Sequence, residues 1–342
     1  MKYITFAIPS YNSEAYLHHA VDSLLHLGED VEIIIVNDGS TDRTLDIALD
    51  YQSKYQHMIK VIDKKNGGHG SGVNEGLKHA TGLYYKVVDS DDWLDEKNTV
   101  ALLNTIKGHV SKDKMPDLYI TDFVYEHVED DTHFVRSYRE NYPAYQHFSW
   151  AETRQKFKYS STLLMHALLY KTSVLRESKL ELPEHTFYVD NVFAYIPLPH
   201  VKTIFYMPIV IYHYYIGRID QSINLDNIVK RYENQIRVMY MLMNAYSYEE
   251  VKKQPKGLRD YMKHFLGAMM IITQMFTIGK DTKERRIAIK KLWKDLKALD
   301  IKLYRKLRYR SYNIVVNFLP YKLRGFVMLT GYKYFRKRVK LG

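Results

Sequence analysis

Short apolar runs alternate with amphipathic segments through the first 125 or so residues, and this alternation limits the fold more than any other feature. The runs are Tyr3–Ile8, Val31–Val36, Lys60–Asp63, Leu83–Val88 and Asp117–Phe123. Val31–Val36 reads VEIIIV, a β-branched run of the kind found in parallel strands covered on both faces. After the first run, Leu17, Ala20, Val21, Leu24 and Leu25 fall on one helical stripe. Leu45, Ala48 and Leu49, then Val73, Leu77 and Ala80, then Leu102, Leu103 and Ile106 repeat that pattern between the later runs. The repetition predicts an α/β fold: an open, mainly parallel sheet flanked by helices. Right-handed crossovers then bring the carboxyl ends of the strands to one edge, where ligands bind.

Three of those ends are polar and rich in turn residues: Pro9–Asn12 (PSYN), Asn37–Asp42 (NDGSTD) and Asp89–Asp92 (DSDD). Ser13 is expected to cap the helix after the first, and Ser40 or Thr41 the helix after the second. Asp89, Asp91 and Asp92 repel one another and are costly to desolvate. A hard divalent cation among them makes the cluster favourable. The alternative is a helix start, with Ser90 or one of the acids as cap and the helix dipole favouring the rest. Convergence of three polar ends in one pocket favours nucleotide and metal over turn chemistry. The segment Asn66–Gly76 carries glycines at 67, 68, 70, 72 and 76, suited to close approach of backbone to a ligand. It fits neither a dinucleotide fingerprint nor a Walker A loop.

Composition excludes several classes. The chain of 342 residues has no cysteine, which removes disulfide frameworks, thiol catalysis and zinc–thiolate sites and fits a reducing compartment. Met1–Lys2 leads straight into a strand pattern with no secretory signal evident, and no apolar run approaches the ~20 residues of a membrane span. The net charge of +11 is uneven: residues 301–342 hold twelve Lys or Arg and no acid, and the remainder is nearly neutral.

PSYN, NDGSTD, the repeated N-x-G element at Asn66–Gly76 and DSDD, in this order and spacing, resemble a family 2 glycosyltransferase of the bacterial polysaccharide and cell-envelope type. The resemblance is dense over residues 1–125 and looser to about 225. It implies a GT-A fold, a Rossmann-like sheet with an α-helical C-terminal region. It also implies an inverting transfer of a sugar from a nucleotide diphosphate, usually UDP, to a hydroxyl, with Mn²⁺ or Mg²⁺. Carried over by position, Tyr11 would stack near the nucleobase, Pro9 would shape that wall, and Asn66 and Gly68 would line the donor. Asp38 would accept from the base, Asp89 would face ribose or sugar, and Asp91, with Asp92 nearby, would bind the metal. The family often has Ala-Arg-Asn where this chain has Gly72-Val73-Asn74, so a cation is missing. His69 is a candidate substitute or a plain surface residue.

Inversion needs a general base. The best match is Asp190 in HTFYVDNVFAY, with Glu184 in reserve; the bland reading is a cap for the helix at 191–196. Arg218, Gln221 and Ser222 after the strand Val210–Tyr215 are expected to close over the pyrophosphate. His213 is a possible third metal ligand or a structural histidine.

The division expected is a catalytic domain at 1–223 and a helical, basic region at 224–342, with helices at 228–243, 258–278 and 287–299. The basic tail fits an anionic membrane surface, nucleic acid or a solvated helix face. The first is favoured; nucleic acid is set aside because no recognition motif accompanies the charge. The protein expected is therefore cytoplasmic and peripheral at the inner face of the membrane, acting on a glycan or polyprenyl-linked acceptor. Rival readings are a nucleotidyltransferase, which needs a basic loop that PSYNSEAY lacks, and a sugar-nucleotide-binding protein without turnover.

Overall fold

The computed structural model describes residues 1–127, 132–153, 157, 162–217, 225–280, 282–310, 313–320, 323–328 and 330–331. These form two compact units, one of residues 1–153 and 163–215, the other of 154–162 and 216–342. The expected boundary at 223/224 lies outside the described residues.

The first unit is built on a sheet. Its strands are β1 (Ile4–Ser10), β2 (Val31–Asn37), β3 (Ile59–Asp63), β4 (Tyr84–Val87), β5 (Trp93–Leu94), β6 (Leu118–His127), β7 (Thr132–Arg136), β8 (His147–Phe148), β9 (Leu168–Lys171) and β10 (Ile204–Ile216). Helices α1 (Leu17–Leu25), α2 (Thr44–Lys54), α3 (His69–His79), α4 (Glu96–Ser111), α5 (Thr172–Glu177) and α6 (Asp190–Tyr195) accompany them. The strand order is β3-β2-β1-β4-β9-β6-β10-β5. β1 pairs in parallel with β2 and β4, and β2 in parallel with β3. This is the half the alternation announced, and its inner strands β1 and β4 are wholly buried.

Beyond β4 the sheet changes character. β9 enters antiparallel to both β4 and β6 and separates them. β10 is antiparallel to β5 and to β8. The parallel expectation therefore holds for four strands, and the rest of the sheet is mixed. A four-residue strand such as LLYK has too little length to show a period, so β9 was not foreseen.

Three capping expectations are corrected. The N-caps of α1 and α2 are Tyr16 and Arg43, and neither makes a side-chain capping bond. Ser13 instead meets the Ser90 hydroxyl at 2.7 Å, and Ser40 accepts from Asn12 N. The helix after DSDD is capped by Asp95, whose Oδ1 accepts from Asn98 N at 2.7 Å.

The second unit holds α7 (Leu225–Lys230), α8 (Tyr232–Ala245), α9 (Tyr248–Lys253), α10 (Lys256–Ile278), α11 (Lys283–Leu299), α12 (Ile301–Tyr309) and α13 (Asn313–Phe318). The helix expected at 228–243 is two, α7 and α8, and α9 was not foreseen. Val238, Met239, Leu242, Met262, Phe265 and Leu292 are fully buried in this unit. Phe157, distant in sequence, packs edge-on against Tyr261 at 5.1 Å. Among the described residues no helix is long and apolar enough to cross a membrane.

Candidate active site

β4 delivers the acids. Val88 N still donates to Ala7 O as the strand ends, and the chain then turns, with Asp92 N donating to Asp89 O at 3.0 Å. Because Asp95 caps α4, the three acids are not needed there. Asp92 is buried, and its two oxygens accept from the Tyr212 hydroxyl and from Tyr215 N. The same hydroxyl accepts from Asp89 N at 3.0 Å, so one tyrosine of β10 fixes both residues. Burial, then the charges of Asp91 and Asp89, push the Asp92 carboxyl well above the usual range. Asp91 is half-buried in the same turn.

His69 opens α3 and reaches Asp89, with Nε2 2.8 Å from Oδ1. Burial pulls the imidazole down, yet the charge and hydrogen bond of Asp89, with Asp190 and Asp91 behind it, leave its pKa raised. Burial works against ionisation of Asp89 too, but His69, His166 and Lys86 hold that carboxyl below its ordinary value. Val73, where the family arginine often stands, is 1% exposed and carries no charge. His69 is thus the basic group beside Asp89 where the arginine is missing, a place the sequence offered it only as an option.

Asp190 is the first residue of α6; Val189 is the N-cap, and no side chain caps this helix. The bland capping reading therefore fails. Burial raises the Asp190 carboxyl to about 6, His69 lowers it in part, and Asp89 adds to the rise. The loop before it is strained, with His185 at φ 46° and Tyr188 at φ 66°. It is tied down by His185 N donating to Gly67 O at 2.6 Å. Gly68, at φ 83°, lies so close that a Cβ would meet His185 N at 3.1 Å. Asn74 adds a two-way bond with Leu182, donating to its O and accepting from its N. The glycine segment thus packs against the loop that carries Asp190. Glu184, the reserve base, is exposed and accepts from Ser71 Oγ at 3.3 Å.

Two buried residues in the site had no motif to announce them. Lys86 sits mid-strand in β4, and His166 in the apolar stretch LLMHALLY. Lys86 is 1% exposed; its Nζ donates to His166 O at 2.6 Å, and burial lowers its pKa to about 7. Burial takes His166 down to about 4, so the imidazole is neutral. Its ring lies 4.8 Å from both Tyr212 and Tyr214 and 5.5 Å from Phe123. A charged or polar residue inside an otherwise apolar run was the available signal. Asp89, Asp92 and His166 each offer a ligand atom, all within 4.8 Å of one another. Two carboxylates and a neutral imidazole make a donor set that fits a divalent cation.

The residues expected at the nucleotide lie at the ends of β1 and β2 and in the segment before α3. Pro9 is buried at the end of β1, and Tyr11 is 53% exposed just beyond it. Asp38 is buried, with Oδ1 accepting from Gly67 N and Lys64 Nζ and Oδ2 from Gly68 N. Those bonds take three of its roughly four acceptor positions, so its first task is to shape the glycine loop. Asn66 Nδ2 donates to Asp38 O, closing the same turn. His213 is engaged elsewhere: its Nδ1 bonds Glu126 Oε1 at 2.6 Å and its ring stacks on Trp93. Arg218, Gln221 and Ser222 lie outside the described residues.

Comparison with known proteins converges on one family. A family model described as Glycosyl transferase family 2 matches residues 5–167. EpsH of Bacillus subtilis (strain 168), whose name assigns it provisionally to the glycosyltransferases, is 28% identical over 243 residues. That match spans 68% of this chain and 64% of EpsH, so less than two thirds of that relative. Among solved structures, S. aureus TarS 1–349 in complex with UDP-GlcNAc superimposes with a TM-score of 0.66 at 21% identity, covering 97% of this chain and 92% of that one. The mannosyltransferase PcManGT from Pyrobaculum calidifontis, in complex with GDP-Man and Mn²⁺, gives a TM-score of 0.53 at 12% identity, covering 95% and 84%. At these identities the structural likeness establishes a shared GT-A fold.

Proposed function

The chain belongs to glycosyl transferase family 2, and from that premise we propose that it moves a sugar from a UDP-sugar to a hydroxyl of a cell-envelope or exopolysaccharide acceptor, with inversion. Asp190 carries the reading. A carboxyl raised to about 6, half-buried and within electrostatic reach of Asp89 and His69, suits a general base at neutral pH. It takes the proton of the acceptor hydroxyl as that oxygen bonds to the anomeric carbon. The bond from that carbon to the donor phosphate breaks, and its electron pair leaves with the nucleoside diphosphate. A single displacement of this kind inverts the anomeric centre. Asp89, held below its ordinary pKa, faces the donor as an anion and orients His69 beside it. Tyr11, Pro9, Asn66, Gly68 and Asp38 form the nucleotide wall. Mn²⁺ or Mg²⁺, held among Asp89, Asp91 and Asp92, supplies Lewis-acid stabilisation of the departing diphosphate when bound. UDP as the nucleotide is supported by the fold shared with a TarS structure that holds UDP-GlcNAc.

The helical region, 224–342 in this reading, brings the enzyme to the cytoplasmic membrane face, where polyprenyl-linked or growing glycans are found. In support, Phe318, Leu323 and Phe326 are exposed, in a stretch whose sequence holds twelve Lys or Arg and no acid. The test is a screen of UDP-sugars read by released UDP, repeated with Asp190→Asn and Asp91→Ala. Both variants should bind UDP; Asp190→Asn should lose transfer by at least about 10²-fold. Asp91→Ala should lose metal-dependent turnover while keeping the fold. Wild-type turnover in Asp190→Asn would overturn the base, and absence of turnover with every donor would leave a nucleotide-binding protein.

A further inference from the structure

We propose that His166 is the nitrogen ligand of the cation site and that it selects Mn²⁺ over Mg²⁺. The inference rests on the cation-assisted transfer above and goes further by naming a donor that no sequence motif marks. His166 is 6% exposed, and its Nδ1 has no hydrogen-bond partner among the described residues. A buried ring nitrogen left unpaired is unfavourable and calls for a reason. One of the two ring nitrogens lies within 4.8 Å of carboxylate oxygens of Asp89 and Asp92. Ligands of one ion with bonds of about 2.1 Å lie about 3 Å apart when adjacent and about 4.2 Å apart when opposite, so the three groups must draw in to bind it together.

The surroundings hold this donor in place. Phe123, Tyr212 and Tyr214 fix the ring plane, and Lys86 anchors the backbone carbonyl of the same residue. Tyr212 and Tyr215 orient the Asp92 carboxylate through one bond to each oxygen, and each oxygen keeps a lone pair. His213, the histidine the sequence offered for this role, is committed to Glu126 and Trp93. Imidazole is a good ligand for transition metals, whereas Mg²⁺ prefers oxygen alone, so a nitrogen donor shifts preference toward Mn²⁺.

The test uses the full chain with UDP and Mn²⁺, read by electron paramagnetic resonance with echo-envelope modulation. Wild type should show the ¹⁴N coupling of a directly bound imidazole. His166→Asn should lose it and bind Mn²⁺ at least about 10-fold more weakly, with Mg²⁺ affinity little changed. Thermal unfolding without metal checks that the variant folds, and the wild-type spectrum needs no variant. Mn²⁺ bound with UDP but without ¹⁴N coupling, or coupling retained in His166→Asn, overturns the role of His166 and leaves the proposed transfer standing. Failure of Mn²⁺ to bind in the presence of UDP also overturns the role of His166, and the donor screen read by released UDP decides the transfer separately.

Discussion

At Asp190 function and stability pull in opposite directions. Its carboxyl titrates at about 6 in the fold against an ordinary value of 3.8, so the folded state holds the proton more tightly than the unfolded chain. The contribution this group makes to stability is therefore complete below about pH 4 and is lost as pH rises through 6. Replacing the carboxylate by an amide removes a desolvated charge. Asp190→Asn should accordingly raise the unfolding free energy at pH 7.5 by roughly 1–3 kcal/mol while abolishing transfer. Denaturant titration of both proteins checks this, and a destabilised variant would contradict it. The same titration governs activity, since a base works only when deprotonated. kcat/KM should rise with pH along a limb centred near 6, and Asp190→Glu should move that limb. Asp190 is singled out by a motif resemblance, and its neighbours Tyr188, Phe193 and Tyr195 already suggest a carboxyl raised by apolar surroundings. That shift comes from burial and from Asp89, which lies a hundred residues earlier in the chain.

Among the elements, α3 shows how a helix can be specified by what it must not carry. A Cβ on Gly72 would come 2.8 Å from Pro9 Cβ, and one on Gly76 2.8 Å from Ala7 Cβ, so the helix lies against β1 at a distance only glycine allows. Gly72→Val should cost roughly 2–3 kcal/mol by overpacking, read from thermal or denaturant unfolding, and should weaken UDP binding because Pro9 must move. The glycines had been read as room for a ligand; they are largely room for the protein's own strand and for the 182–186 loop. Helix caps were the least legible feature. Ser13 and Thr41 have the right chemistry for caps, yet the turns they occupy use Ser13 to meet Ser90 and Thr41 N to reach Asn12 Oδ1. Local propensity is easily overridden where three strand ends share one edge.

For the whole molecule, charge and apolar surface are unevenly distributed. The last 42 residues hold twelve of the 50 basic side chains and no acid. Within the described part of that stretch, Phe318 and Phe326 are each 71% exposed. Sedimentation with vesicles should therefore show binding that needs anionic lipid and weakens with salt, and Phe318→Ser with Phe326→Ser should reduce it several-fold. Equal binding to neutral vesicles would contradict the electrostatic part. What the amino-acid order determined alone was the parallel half of the sheet, the acids at the end of β4 and the family. Each is encoded locally, by a run of β-branched residues, a turn or a motif of a few positions. The tertiary structure decided the rest: the antiparallel entry of β9, the partners that raise Asp190 and restrain Asp89, and the arrival of His166 beside Asp89 and Asp92. Those outcomes depend on burial and on charges brought together from distant segments, and neither exists until the chain has folded.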